Sequence, residues 1–195
     1  GGQAIADAVT GSLNPAGRLT QTFYKASFVD EVSFFDMAFR PSSHNNNANT
    51  TYYSNYSSPG RSYRFYAGEN FAYPFGHGLS YSELTYAFEA DSSDQNGVMV
   101  TVVNKDLSRR ASASVLLFLA PPTGGTTTPA GSPLKSLRGF DRVTLAAGAS
   151  ESVSFSLTAV DFSLADEEGS FHLVEGAWTA TVAGSNEGDA GVGAS

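Results

Sequence analysis

One 24-residue stretch organises this chain: Pro59-Gly-Arg-Ser-Tyr-Arg-Phe-Tyr-Ala-Gly-Glu-Asn-Phe-Ala-Tyr-Pro-Phe-Gly-His-Gly-Leu-Ser-Tyr-Ser82. It holds seven aromatic residues and four glycines. Pro59-Gly60 predicts a turn, because proline fixes φ and glycine accepts positive φ. The alternation of Arg61–Tyr66 predicts a strand with one buried face. Aromatic residues at this density pack together more often than they bind ligand, so the stretch is interpreted as a rigid connector between two structural units.

After this connector the pattern becomes all-β. Ser152–Leu157 alternates between polar and apolar residues, as a half-buried antiparallel strand does. Short apolar segments recur every 10 to 20 residues with Gly, Pro and Asp breaks between them, which is typical of a β-sandwich. The predicted strands are Leu84–Ala90, Val98–Val103, Ser114–Ala120, Arg142–Leu145, Ser150–Leu157, Phe171–Val174 and Ala177–Ala183.

The segment before the connector has a different pattern. Gln3–Thr10 carries an apolar stripe with helical spacing, and Gly11 predicts the end of that helix. A turn at Asn14–Gly17 and an alternating segment at Arg18–Tyr24 follow. One helix and one strand cannot bury a core, so this segment is interpreted as the end of an α/β layer. Residues 42–58 form a polar tract, predicted to be an exposed loop.

Four groups of residues carry a resemblance to a known family. The connector resembles the domain junction of family 3 glycoside hydrolases, most closely their β-xylosidase branch. Gly11, Asn14, Pro15, Gly17, Arg18 and Leu19 are similar to the end of the family's α/β-sandwich domain, as Asp36, Met37, Arg40 and Pro41 are to a later family segment. Residues 133–143, 147–148, 153–157, 161–163 and 175–176 resemble the family's fibronectin type III-like domain. At residue 106 the chain has Asp in a turn where the family has Gly.

The resemblance implies a retaining glycosidase, in which an Asp nucleophile and a Glu acid/base lie about 5–5.5 Å apart across the scissile bond. The family carries the nucleophile in a barrel domain and the acid/base upstream of the segment seen here. Neither motif occurs in these residues, so no catalytic residue is assigned to this chain.

The remaining candidate side chains have structural alternatives. Asp36 and Arg40 are candidates for substrate contact, and an ion pair between Asp36 and an arginine is the alternative. Arg61 and Arg64 fit either junction salt bridges or sugar-hydroxyl donors. His77 is interpreted as a packed junction residue, and the acidic run of residues 166–168 as a solvated turn with a calcium site as the alternative. Tyr52, Tyr53 and Tyr56 are candidates for stacking on sugar rings, with solvated tyrosines as the alternative.

The composition and net charge of the chain argue against several classes of binding partner and chemistry. The net charge of −8 argues against nucleic acid and anionic membranes. The absence of cysteine excludes disulfide and thiol chemistry. No apolar run approaches the roughly 18 residues of a membrane span, and no cofactor or metal motif is found. Two sequons, at Asn49 and Asn55, predict glycosylation and a secreted or extracellular (cell-wall or surface) location.

The sequence therefore predicts a mainly β fold, in which an immunoglobulin-like sandwich of the fibronectin type III-like kind follows the C-terminal remnant of an α/β-sandwich domain. The expected divisions are 1–28 for the remnant, 29–82 for the junction and 83–195 for the sandwich. The expected role is the non-catalytic end of a retaining exo-glycosidase that releases β-linked xylose, or a related sugar, from oligosaccharides, and this segment is expected to stabilise the α/β domain. Its expected partners are an oligosaccharide and the N-terminal barrel and α/β portion of the same parent protein, either on the same chain or as a separate one. The alternative is a non-catalytic structural or carbohydrate-binding module in an extracellular assembly.

Overall fold

The computed structural model describes residues 1–34, 36–44, 56–89, 97–123, 128–129, 131–166 and 168–183. The N-terminal part contains short elements. These are helix α1 (Gly2–Thr10), strand β1 (Phe23–Tyr24), a 3₁₀-helix (Ala26–Asp30), β2 (Ser42–His44), β3 (Tyr56–Ser58), helix α2 (Ser62–Phe65) and β4 (Phe71–Tyr73). Strand β1 pairs antiparallel with β4, and β2 pairs antiparallel with β3.

The C-terminal part is built from strands. They are β5 (Leu84–Phe88), β6 (Gly97–Asn104), β7 (Ala111–Ala120), β8 (Ser136–Leu145), β9 (Ser150–Ser156), β10 (Ser163–Ala165), β11 (Phe171–Leu173) and β12 (Thr179–Ala183). One antiparallel sheet has the order β5-β6-β9 and a second has the order β12-β7-β8, while β10 and β11 form a separate hairpin. The fold class expected from the sequence is confirmed.

The core lies between the two three-stranded sheets. Val100 and Val153 face it from the first sheet, and Val115, Leu117 and Val182 face it from the second. Gly139, on β8, lets the sheets approach closely, because a Cβ at that position would lie 2.5 Å from the Phe155 ring. The alternation predicted for residues 152–157 is therefore confirmed, with Val153, Phe155 and Leu157 buried.

The predicted helix at Gln3–Thr10 is confirmed as α1, and Gly11 ends it in a left-handed conformation with φ 79°. All seven predicted strands of the C-terminal half are present, with bounds shifted by up to six residues. In the segment Arg18–Tyr24 only Phe23–Tyr24 is a strand, because Leu19 pairs instead with the backbone of Gly76 and His77.

The strand predicted at Arg61–Tyr66 is wrong. These residues form the single turn of α2, closed by a hydrogen bond of 2.9 Å from the Tyr66 amide to the Ser62 carbonyl. Ser62 has φ 63°, which takes the backbone out of the extended region. Phe65 and Tyr66 are consequently both buried, whereas a strand would have placed them on opposite faces.

The polar tract of residues 42–58 begins and ends in the β2–β3 hairpin. The sequons at Asn49 and Asn55 and the side chains of Tyr52, Tyr53 and Tyr56 lie outside the described part of the chain. No helix within the described ranges has the length and apolar character required to cross a bilayer.

Candidate functional site

The connector packs against the outer face of the β12-β7-β8 sheet. Tyr63 of α2 and Phe75 lie with their ring centroids 4.4 Å apart, and Phe118 of β7 meets them edge-on at 5.4 and 5.9 Å. Leu116, next to Phe118 on this face, belongs to the same cluster. The aromatic residues of the connector thus form a second small core outside the sandwich.

Asn14 ties the N-terminal segment to the end of the connector. Its Oδ1 accepts hydrogen bonds from the Ser80 hydroxyl (3.1 Å) and the Tyr81 amide (2.9 Å), and its Nδ2 donates to the Ser82 hydroxyl (3.0 Å). Ser82 in turn donates at 3.5 Å to Asp106, in the turn after β6. One amide side chain therefore links three consecutive residues of the connector to the turn at Asn14–Gly17.

The Gly76-His77-Gly78 segment satisfies both a conformational and a steric requirement. Gly76 has φ 83°, and a Cβ on Gly78 would overlap the carbonyl oxygen of Gly17. This close approach allows the Leu19 amide to donate to His77 and the Gly76 amide to donate to Leu19, both at 2.8 Å. The His77 ring lies 4.9 Å from Tyr73, consistent with the predicted packed junction residue.

Asp36, a candidate for substrate contact, is buried and its loop is held by local hydrogen bonds. Its Oδ1 accepts from the Ala38 amide at 2.8 Å, and its backbone carbonyl accepts from Nη2 of Arg61. Arg40, the second candidate, is exposed, and its guanidinium carbon lies 5.9 Å from the centre of the Phe65 ring. Arg64 lies on the same ring at 5.5 Å. The structure thus brings Asp36 together with Arg61 and places Arg40 beside Arg64.

Glu31 has a role that the sequence did not indicate. Its carboxylate accepts a hydrogen bond of 2.7 Å from the Tyr66 hydroxyl and another from the Asn70 side-chain amide. Burial raises the pKa of Tyr66, and the hydrogen bond to Glu31 adds to that effect. The Tyr66 ring also packs edge-on against Tyr24 and Phe28, so this network joins the 3₁₀-helix to α2.

Two carboxylates, the exposed Glu89 and the half-buried Asp106, have pKa values below their usual range, each because of nearby donors. Hydrogen bonds from Ser152 and Thr101 lower the pKa of Glu89, and those from the hydroxyl and amide of Ser108 lower that of Asp106. A general acid needs a raised pKa, so these groups are suited to accepting hydrogen bonds rather than to donating a proton to a leaving group.

The acidic run before Gly169 contains Asp166, whose carboxylate lies 2.7 Å from the His172 ring and also accepts from the Ser170 amide. The His172 hydrogen bond lowers the pKa of Asp166. Glu168 is exposed, as a solvated turn requires. Across the described ranges, no group of three His, Asp or Glu side chains is arranged to hold a metal ion.

Asp106 lies in the turn after β6, at the position where the family has Gly, and its side chain holds this turn through hydrogen bonds. Its Oδ1 accepts from the Ser108 amide and hydroxyl (2.8 and 2.7 Å) and from the Arg109 amide (3.1 Å). The side chain of Asn104 donates to the carbonyls of Arg109 and Ala146 and so fixes the same turn from the other side. The departure from the family pattern at this position is thus compensated locally, without a positive φ.

The fold and this junction define a class of protein. Residues 1–81 match the model of the glycosyl hydrolase family 3 C-terminal domain, and residues 113–186 match that of the fibronectin type III-like domain. The chain therefore belongs to glycosyl hydrolase family 3 and corresponds to its C-terminal part, as the resemblance implied.

The chain is similar in sequence to β-xylosidases and in structure to a β-glucosidase. Beta-xylosidase/alpha-L-arabinofuranosidase 1 of Medicago sativa subsp. varia is 32% identical over 87% of this chain and 23% of its own length. An exo-1,4-beta-xylosidase of Aspergillus oryzae is 30% identical over 90% of this chain and 23% of its own length. The crystal structure of a beta-glucosidase from Bifidobacterium adolescentis superposes with a TM-score of 0.72 and 26% identity, over 97% of this chain and 27% of that one. The chain thus spans about a quarter of the length of these proteins.

Proposed function

We propose that this chain is the non-catalytic C-terminal portion of a retaining exo-glycosidase that releases β-linked xylose from oligosaccharides. The observation that carries the proposal is the similarity of nearly the whole chain to β-xylosidases, at 30–32% identity. In such an enzyme the Asp nucleophile and Glu acid/base would be supplied by the preceding portion of the parent, meaning the longer polypeptide to which this chain belongs. The role of residues 1–195 would be to stabilise that portion.

The distribution of exposed apolar side chains supports this role. Helix α1 has no buried residue, and Ile5 and Val9 are 67% and 78% exposed. Phe34 and Met37 lie close in sequence to the buried Asp36 and are also exposed, as is Leu79 in the connector. Large exposed apolar patches mark interaction surfaces. The occupant we propose is the N-terminal barrel and α/β portion of the parent, whether on the same chain or a separate one, since the chain covers only 23% of the β-xylosidases.

The domain boundaries follow from the same proposal. Residues 1–28 would complete the α/β layer, residues 29–82 would form the junction and residues 83–195 the sandwich. We also propose a secreted or extracellular location, with glycans at Asn49 and Asn55. A mass decrease on treatment with an endoglycosidase, abolished by Asn49→Gln with Asn55→Gln, is the expected result.

The activity is tested by comparing the parent polypeptide with the 195-residue chain on nitrophenyl β-xyloside and nitrophenyl β-glucoside. The parent is expected to prefer the xyloside, and the chain alone to hydrolyse neither. Preference for the glucoside would contradict the proposed substrate, and turnover by the chain alone would contradict its non-catalytic role. A parent without glycosidase activity would favour the alternative, a structural or carbohydrate-binding module in an extracellular assembly.

A further inference from the structure

A cavity of about 310 Å³ lies between α2 and the outer face of the β12-β7-β8 sheet. Aromatic and apolar side chains make most of its wall, and four polar residues are placed among them. The aromatic residues are Tyr63, Tyr66 and Phe71, and the polar ones are Thr22, Ser62, Lys135 and Thr181. Mostly apolar walls with a few placed polar groups are typical of small-molecule sites, and this volume is at the small end of their range.

Ser62 has a strained backbone at the edge of this cavity. Among the residues that the structure describes, it alone has a positive φ without being glycine. Its conformation is held by a hydrogen bond from its amide to the Tyr24 hydroxyl (2.6 Å) and by one from the Tyr66 amide to its carbonyl (2.9 Å). Strained residues persist where their surroundings fix them, and they cluster at binding sites. Glycine would adopt this backbone conformation without strain, so the reason for a serine at this position lies in its side chain.

Two further polar groups line the same cavity. The Thr22 hydroxyl is buried and makes no hydrogen bond to any part of the chain that the structure describes. Buried hydroxyls are normally satisfied, and an unsatisfied one is unfavourable. The Lys135 ammonium lies 5.0 Å from the centre of the Phe118 ring, and burial lowers the pKa of this lysine. The cavity therefore contains hydroxyl and ammonium donors beside aromatic rings.

We infer that this cavity binds a single neutral pyranose ring, either a free sugar or the end of an oligosaccharide. The C–H face of the ring would pack on Tyr63 and Phe71, and its hydroxyls would bond with Thr22, Ser62 and Lys135. The small volume favours one ring over an extended chain, and the net charge of −8 disfavours anionic ligands. The choice of a sugar rests on the function proposed above.

The test is a titration of the ¹⁵N-labelled 195-residue chain with xylose, glucose and xylobiose, followed by NMR. Saturable shifts are expected at the amides of Thr22, Ser62 and Thr181. Thr22→Val and Lys135→Met are each expected to weaken binding about tenfold, because each removes a hydrogen-bonding group from a partly buried site. Lys105→Met is the matched control, since Lys105 is exposed on the turn after β6, and its affinity should equal that of the wild type.

Ser62→Gly separates a binding role from a folding role. Glycine accepts φ 63° without strain, so this variant should be as stable as the wild type or more so, while binding the sugar about tenfold more weakly. A stable Ser62→Gly variant that binds as the wild type does would overturn the inference. The same conclusion would follow if no sugar gave a saturable shift, or if the shifts lay away from the cavity.

The result can be separated from the proposed function by assaying the parent. If the parent hydrolyses aryl xylosides and no sugar binds the cavity, the inference falls and the proposed function stands. If the parent hydrolyses no glycoside, the proposed function falls, and the titration alone then decides whether the cavity binds sugar.

Discussion

Replacing Phe118 with alanine tests whether the connector and the sandwich are one packed unit. Phe118 is 1% exposed although it faces away from the sandwich core, and its ring contacts Tyr63, Phe75 and the Lys135 ammonium. Removing a fully buried phenylalanine costs about 3–5 kcal/mol of unfolding free energy. For a chain of this length that corresponds to a fall in melting temperature of roughly 6–20 °C.

The matched control is Phe140→Ala. Phe140 lies opposite Leu116 in the register of β7 and β8, on the same outer face, but it is 76% exposed. The same chemical change should therefore cost less than about 0.5 kcal/mol there. Urea unfolding followed by circular dichroism gives both values. Equal costs for the two variants would refute the packing of the connector on this sheet.

Amide hydrogen exchange locates the effect. The Leu134 amide donates to the Arg64 carbonyl at 2.6 Å and so reports directly on the contact between the connector and the sandwich. Phe118→Ala should speed exchange at Leu134 more than Leu117→Ala does, because Leu117 points from the same strand into the sandwich core. Leu117→Ala should also be strongly destabilising, by about 2–5 kcal/mol, but through global unfolding. The opposite order of exchange rates would contradict the assignment of Phe118 to the junction.

Three further predictions concern the contacts that hold the connector and the neighbouring turn. Asn14→Ala removes the hydrogen bonds to three consecutive residues and should cost about 1–3 kcal/mol in urea unfolding, whereas Asn14→Asp should recover part of it by keeping the acceptor. Gly78→Ala should lower the free energy of unfolding by about 1–3 kcal/mol, because the added Cβ would overlap the Gly17 carbonyl oxygen. Hydrogen exchange at the Leu19 amide, which donates to His77, should also become faster. Unchanged exchange would contradict the close approach of the two segments. Hydrogen bonds from Ser108 lower the pKa of Asp106 in the folded chain. The ionised carboxylate should therefore stabilise the turn fully at pH values above about 3.9, the pKa of Asp in the unfolded chain, and this stabilisation should be lost as the pH falls through the lower pKa of the folded chain. The protection factor of the Ser108 amide, which is the intrinsic exchange rate at each pH divided by the observed rate, should show this loss. Asp106→Ala should remove the pH dependence of that protection factor.

The strands of the sandwich could be predicted because each has one face on a single core. Ser152–Leu157 shows this most clearly, since its alternation is that of a strand with one wet and one dry face. The strand β10 (Ser163–Ala165) was not predicted, because three residues with only Leu164 buried carry too little pattern. Arg61–Tyr66 alternates as a strand does over six residues. The positive φ of Ser62 nevertheless interrupts the extended backbone, and the Tyr66 amide closes a helical turn on the Ser62 carbonyl, which no residue-level pattern indicates.

The contacts of the connector with the N-terminal segment were less predictable than the fold, because they join residues that are far apart in the sequence. Asn14 stood out only as a position that the resemblance shares, while its hydrogen bonds reach 66 to 68 residues along the chain. Glu31 contacts Tyr66 and Asn70, which lie 35 and 39 residues further along the chain. Their neighbouring residues show no periodicity that would point to these partners.

The sequence of β7 nevertheless carried a signal for the second core. Ala111–Val115 alternates small polar and apolar residues, with Ser112 and Ser114 on the outer face. From Leu116 onward the alternation stops, and Leu116–Leu119 is apolar on both faces. A strand of a two-layer sandwich has no need of apolar residues on its outer face, so the change at Leu116 requires a cover outside the sandwich. Tyr63 and Phe75 provide that cover, which explains why the aromatic residues of the connector and the apolar run of β7 occur in the same chain.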